Sequence, residues 1–170
     1  RINMTDQSYK LEEVPERYKN LGGRGLNIAR LWEEVPAHTD GRSPRNMLLF
    51  GVGPLVGTLF PGSARMNVSA MSPQTGILGD ANVGGFFAPE LKYAGYDQVA
   101  IRGRAQHPVY LLIRDDVAQV RDARHLWGKD TWETTQAIQA EVGDPALQVA
   151  AIGPGAENGV RFAGVFVNLN

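Results

Sequence analysis

Residues 65–95 read RMNVSAMSPQTGILGDANVGGFFAPELKYAG, and the rest of the chain is organised around this stretch. Met66, Val68 and Ala70 alternate with Arg65, Asn67 and Ser69, the two-residue period of a strand with one buried face. The opposite face therefore carries an arginine and an asparagine. Ser72-Pro73-Gln74-Thr75-Gly76 supplies a turn, because proline fixes φ and glycine accepts positive φ. A short segment, ILGDANVGG, follows, and the spacing then predicts a helix over about 86–93. Glycines at such a junction let backbone N–H groups approach an anion closely, and a helix N-terminus adds partial positive charge. Arg65, Asn82, Gly84 and Gly85 are accordingly the candidate anion or phosphate site. The competing reading is a turn-rich connection whose glycines only relieve crowding, since an isolated glycine-rich loop is a weak signal.

Composition limits what surrounds this stretch. A chain of 170 residues suits one domain and buries about 70% of its unfolded surface. Twenty glycines and ten prolines point to many turns. The formal net charge of -1 provides no general basic field for nucleic acid or an anionic membrane, so any anion site is local. With no cysteine, the chain by itself builds no disulfide, zinc–thiolate or iron–sulfur site. It has no apolar run of membrane length and no signal-peptide pattern. Its start at Arg1 rather than methionine fits a fragment of a longer protein.

On the N-terminal side, residues 1–14 read as two short strands around the polar turn Thr5-Asp6-Gln7-Ser8. Pro15 suits the first turn of a helix, and Gly22-Gly23-Arg24-Gly25 breaks the pattern. A second helix is expected over about 26–35, with Ile28, Leu31, Trp32 and Val35 on one face and Trp32 in the core. Residues 47–50 form a buried strand entering a Gly51-Val52-Gly53 loop. That arrangement superficially resembles a dinucleotide-binding loop. The fingerprint requires a helix directly after the glycines, whereas here Pro54 lies in the loop and Pro61-Gly62 follows soon after. On the C-terminal side, strands are expected over 98–103 and 109–114. Asp115-Asp116 turns the second back through residues 118–121. Asp130-Thr131-Trp132-Glu133 has the form of a capping box opening a helix to Val142, which Gly143 ends. Strands over 147–152 and 160–167 flank Gly153-Pro154-Gly155, and Asn168-Leu169-Asn170 closes the chain. One α+β domain is the simplest account.

Few other groups offer chemistry. His38, His107 and His125 are scattered without metal-ligand spacing, and Gly62-Ser63-Ala64 lacks a hydrolase elbow. Glu90 suits a helix surface or cap better than a site carboxylate. Asp97 closes a turn, and Asn158 is a turn or site residue. Arg24 and Arg65 lie among small residues that leave room for a phosphorylated ligand, which guanidinium binds bidentately. A surface ion pair is the alternative for each; the context favours ligand binding for Arg65 and leaves Arg24 open.

Six motifs in order carry a family resemblance: Gly22-Gly23-Arg24-Gly25-Leu26, Gly53-Pro54-Leu55-Val56-Gly57-Thr58, Ser72-Pro73-Gln74-Thr75-Gly76, Asn82-Val83-Gly84-Gly85-Phe86, Glu90-Leu91-Lys92-Tyr93-Ala94-Gly95-Tyr96-Asp97 and Ala151-Ile152-Gly153-Pro154-Gly155-Ala156-Glu157-Asn158. Across nearly its whole length the chain resembles the N-terminal domain of the tungsten-pterin aldehyde:ferredoxin oxidoreductase family. The resemblance implies an α+β fold of two packed β-sheets with a few helices, spanning 1–170, that cradles a tungsten (or molybdenum) bis-pterin. It implies that Arg65 and Gly84, with neighbouring Gly85, contact the pterin, and that Asn82 helps hold a magnesium ion bridging the two pterin phosphates. It implies no catalytic residue in this domain. Helical domains outside the chain would hold a 4Fe–4S iron–sulfur cluster and the substrate channel. The implied reaction is oxidation of an aldehyde to a carboxylic acid in the cytoplasm. Electrons would pass to ferredoxin or an iron–sulfur electron-transfer subunit, and the resemblance also allows a homodimer. A stand-alone module binding a phosphorylated ligand is the alternative. Two departures stand out. The family's second cofactor motif, Arg-Gly-Gly, would begin after Asn170, so the chain reads as half of a cradle; and Ser63-Ala64 precede Arg65 where relatives often carry glycine.

Overall fold

Met47–Val52 (β3) is the apolar strand on which the main sheet is built. The computed structural model describes residues 1–168. Ile2–Asn3 (β1) and Ser8–Tyr9 (β2) form the expected short antiparallel pair, with Ile2 opposite Tyr9. Glu16–Tyr18 is a single 3-10 turn, and Gly23–Glu34 (α1) is the first long helix. β3, Met66–Met71 (β4) and Leu78–Val83 (β5) then run antiparallel in succession. Phe87–Tyr93 (α2) leads into Gln98–Arg102 (β6), which returns along the other edge of β3. The strand order is β2-β1-β6-β3-β4-β5, antiparallel except where β1 meets β6.

Val109–Arg114 (β7) and Val117–Asp122 (β8) form the second, two-stranded sheet. Asp115 takes a φ of 51° at the turn between them, a conformation Asp and Asn tolerate better than most residues. Thr131–Val142 (α3) follows, with the predicted capping box in place. The Asp130 side chain accepts from Glu133 N at 2.8 Å, and the Glu133 side chain accepts from Asp130 N at 3.1 Å. Gly143 ends the helix in the left-handed conformation, with φ 75°. Ala150–Ala151 (β9), the helical turn Pro154–Glu157 (α4) and Phe166–Val167 (β10) complete the chain, and β9 pairs with β10.

The main sheet is covered on both faces. On one, Ile2, Phe50, Val52, Met66 and Val99 pack with Ala88 and Leu91 of α2, and Leu111, Ile113 and Val120 of the β7–β8 sheet lie against them. On the other, Leu31 of α1 packs on Met47, Leu49 and Ala100. Each of the larger apolar side chains removed from water here contributes about 1.5–3 kcal/mol. A separate cluster of Ala123, Leu126, Ile138, Val149 and Ala151 supports α3 and β9.

Several expectations are corrected. Residues 78–83 are a full strand rather than a connecting segment, because each residue lies opposite a partner in the antiparallel ladder with β4. The first helix begins at Gly23, with Gly22 as its N-cap; the glycines open it rather than break it. Trp32 is 88% exposed and Ile28 also faces outward, while Leu26, Asn27, Arg30 and Leu31 make the buried face. The strands predicted over 147–152 and 160–167 shrink to two residues each, since Phe166–Val167 finds only Ala150–Ala151 to pair with. Pro15 leads a 3-10 turn, not a longer helix. Leu169 and Asn170 lie outside the described residues.

Candidate cofactor site

The site is set by the β4–β5 register. Met66 lies opposite Val83, Asn67 opposite Asn82 and Ser69 opposite Asp80. Directly opposed residues share a face, so Met66 and Val83 point into the apolar core while Asn67, Ser69, Asp80 and Asn82 share the other side. Extending this register by one residue sets Arg65 opposite Gly84. Three predicted site residues, Arg65, Asn82 and Gly84, are thereby gathered at one end of one sheet face, although Arg65 and Asn82 are 17 positions apart in sequence. Gly85 follows with a φ of +97°, which favours glycine for backbone reasons alone.

Gly84 is different. Its φ lies outside the left-handed region, and a Cβ added there meets nothing within 4 Å. The fold of this domain therefore does not itself require glycine at that position. Arg65 and Asn82 are both exposed, and no ion pair of Arg65 is found among the described residues. The helix after the glycines is seven residues long, so the sheet face, more than a helix dipole, defines the site.

The inner part of this face is polar and covered by α1. Asn27 (α1) and Asn67 (β4) are buried, with Ser69 beside them. The Asn27 amide nitrogen donates to the Asn67 side-chain oxygen at 2.9 Å, and Gln98 donates to the Asn27 side-chain oxygen at 2.6 Å. Gly51 of β3 makes this approach possible: a Cβ there would lie 2.5 Å from Asn27 Oδ1 and 2.8 Å from the Gly23 carbonyl oxygen. Arg24, in the first turn of α1, pairs with Asp80, Nε to Oδ2 at 2.8 Å. For Arg24 the ion-pair reading is the one observed. Asp80 and Asn27 escape notice in sequence because their partners are distant; the period-two spacing of Asp80 and Asn82 is the signal that could have placed both on one face.

The other candidates have structural partners. The Asn158 amide donates to Pro154 O at 2.8 Å, Lys92 pairs with the Asp97 carboxylate, and Glu90 is exposed on α2. Ser63 Oγ donates to Thr58 O at 2.8 Å, so the serine before Arg65 ties down the preceding loop. That loop is a series of turns after Gly53, and β3 continues into antiparallel β4; the helix a dinucleotide site requires is not there. His107 Nε2 lies 3.7 Å from Asp122 and His125 Nε2 lies 3.1 Å from Glu141. No group of three or more metal-ligating side chains occurs among the described residues. Hydrogen bonds from the Arg124 side chain and backbone hold the Asp122 carboxyl down at about 2, with His107 adding a smaller attraction. No helix among the described residues is long and apolar enough to cross a membrane.

The family model described as "Aldehyde ferredoxin oxidoreductase, N-terminal domain" matches residues 1–170. The chain belongs to this family. It is 47% identical over 170 residues to the tungsten-containing aldehyde ferredoxin oxidoreductase of Pyrococcus abyssi, covering 99% of this chain and 28% of that protein. It is 34% identical over 187 residues to the aliphatic sulfonate oxidoreductase, WOR-like subunit, of Pyrococcus furiosus, covering 99% of this chain and 29% of that protein. Among solved structures, it matches the active-site complex BamBC of benzoyl coenzyme A reductase with 1,5-dienoyl-CoA. That match has a TM-score of 0.95 and 42% identity, covering 98% of this chain and 26% of that one. The chain thus spans little more than a quarter of the length of these relatives.

Proposed function

We propose that this chain is the cofactor-cradling domain of a tungsten-pterin oxidoreductase, with molybdenum as the alternative metal. The observation that carries the reading is the open polar end of the β4–β5 face, where Arg65, Asn82 and Gly84 converge and Gly84 has no need of its glycine within the domain. The residues fit a bis-pterin in three ways. Arg65 is an exposed cation suited to a phosphate, which guanidinium binds through paired N–H donors. Gly84, with Gly85 beside it, lets a ligand approach the backbone. Asn82 offers an amide oxygen, a hard ligand of the kind magnesium takes when it bridges phosphates.

When bound, the metal-pterin supplies the two-electron redox chemistry. This chain's part is to bind the phosphates, fix the orientation of the group and tune its surroundings. The one carboxylate on this face of β5, Asp80, is paired with Arg24 and accepts a hydrogen bond from Asn67. The whole protein oxidises aldehydes to carboxylic acids, in keeping with the name of the 47%-identical relative. Electrons leave to ferredoxin, or to an iron–sulfur electron-transfer subunit, through a 4Fe–4S cluster whose thiolates come from outside this cysteine-free chain. The cytoplasm suits such chemistry, and a homodimer is the proposed assembly.

The test is elemental analysis of the full-length protein, made in a host able to assemble the cofactor and purified without oxygen. The expected result is tungsten or molybdenum together with magnesium and organic phosphate, all lost in Arg65→Ala and Asn82→Ala. Full retention in both folded variants refutes the residue assignment.

A further inference from the structure

The Asn82 side chain is held from behind by a buried amide. Asn67 is 3% exposed, and its side-chain oxygen accepts from Asn27 Nδ2 at 2.9 Å and Ser69 Oγ at 2.6 Å. Those two donors use both lone pairs of the oxygen. The amide nitrogen is consequently directed at β5, where its two hydrogens meet three acceptors: the Asp80 carboxylate takes the closest contact, and Ala81 O at 3.1 Å and Asn82 Oδ1 at 3.3 Å share the other N–H. Asn27 is itself fixed by Gln98, and its nitrogen donates to Asn67 O at 3.1 Å as well. Buried amides have no water to fall back on, so a flip of Asn67 would set its oxygen against three acceptors and its nitrogen against two donors. The chain of bonds runs from β6 through α1 and β4 to β5 and ends on a residue at the open face.

We propose that Asn67 is a positioning residue for the cofactor, holding the Asn82 amide oxygen by one lone pair so that the other is free for a hard cation. The inference rests on the assignment of Asn82 given above. Asp80 takes the remaining donor capacity of Asn67, and Arg24 neutralises Asp80 on its outer side. A carboxylate therefore stands beside Asn82 without leaving Asn67's control.

The experiment uses the full-length protein from a cofactor-competent host and reads tungsten or molybdenum and magnesium per chain after dialysis, with urea midpoints as the measure of fold. Asn67→Asp keeps both acceptor contacts of the oxygen but turns an oxygen toward Asp80, Ala81 O and Asn82. It is expected to lose both stability and metal. Adding Asp80→Asn supplies an amide that donates to the new carboxylate and removes the charge repulsion, while nothing donates to the Asn82 oxygen. The double variant is expected to regain stability and still retain metal about 10–100-fold less well, the usual cost of removing an outer-shell partner. Asn67→Ser, neutral and smaller, is a second probe expected to be folded and poorly loaded. Normal loading in the double variant or in Asn67→Ser overturns the proposal. So does loss of metal that merely tracks loss of stability across all three, which would make Asn67 structural. Asn82→Ala separates the two levels. Its full loading would remove the assignment on which the proposal rests, whereas its failure to load beside a well-loaded Asn67→Ser removes only the role of Asn67.

Discussion

Gly84→Ala distinguishes a glycine kept for the fold from one kept for a ligand. The added methyl meets nothing within 4 Å, and the backbone there lies outside the left-handed region. Alanine also narrows the unfolded ensemble, which stabilises by about 0.4–1 kcal/mol where the native conformation suits it. The domain is therefore expected to be as stable as before or slightly more so. On the proposed role of Gly84, ligand retention should move the other way, because a methyl there would remove one backbone hydrogen bond to a charged group. Such a bond is worth about 1.5–3 kcal/mol, and at 1.4 kcal/mol per factor of ten its loss corresponds to roughly 10- to 150-fold weaker retention. The assay pairs urea unfolding of the full-length variant with its tungsten or molybdenum content after stepwise dialysis. Undiminished metal in a normally stable Gly84→Ala protein would refute the reasoning. A fall in stability beyond about 1 kcal/mol would refute it differently, by showing that the fold needs this glycine after all.

Gly51→Ala should do the reverse of Gly84→Ala. Its Cβ would stand 2.8 Å from the Gly23 carbonyl oxygen, so α1 must shift, and overpacking of this kind costs about 1–3 kcal/mol, readable as a lower urea midpoint. Trp32→Ser is expected to change stability by less than about 0.5 kcal/mol, because the indole is 88% exposed; a core-sized loss on urea unfolding would restore the tryptophan to the interior. Asp122 titrates at about 2 when folded, against 3.8 ordinarily. A folded value below the unfolded one contributes stability above pH 3.8 that is lost as pH falls through about 2. Arg124→Ala should return the Asp122 titration toward 3.8 in carboxyl-detected NMR, and an unmoved titration would rule out Arg124 as the cause.

Local signals were legible where their physics is local. The capping box at Asp130 and Glu133, the left-handed stop at Gly143 and the Asp115-Asp116 turn each depend on contacts within a few residues, and each stands as the sequence predicts. The β3 strand was equally plain, since an unbroken apolar run needs no partner to be recognised. Strand 78–83 was not, because Leu78-Gly79-Asp80-Ala81-Asn82-Val83 has weak strand propensity and four exposed or half-exposed polar and small residues. What makes it a strand is the ladder offered by β4 across the Ser72–Gly76 turn. The candidate site was legible at Arg65, Asn82 and Gly84 as residue types. Their grouping was read from the glycine-rich junction; the β4–β5 register that sets them at one end of a sheet face was not.

Trp32 and Asn27 show the same limit from opposite directions. A helical period reports which residues could share a face, but not which surface will cover that face. On α1 the covering surface is β3 and β4, and there Gly51 clears room for an amide while Asn67 offers it a partner. A buried asparagine satisfied by three neighbours is stable where an unpaired one would cost about 1–3 kcal/mol. The sheet thus selects Asn27 over Trp32 for the interior, against the ordinary ranking of the two residue types. The same selection gives the domain its asymmetry. One sheet face is filled with hydrocarbon, and the other, beside the apolar contact of Leu31 with Met47, Leu49 and Ala100, carries a run of amides from Gln98 to Asn82, which ends where the glycines open the structure.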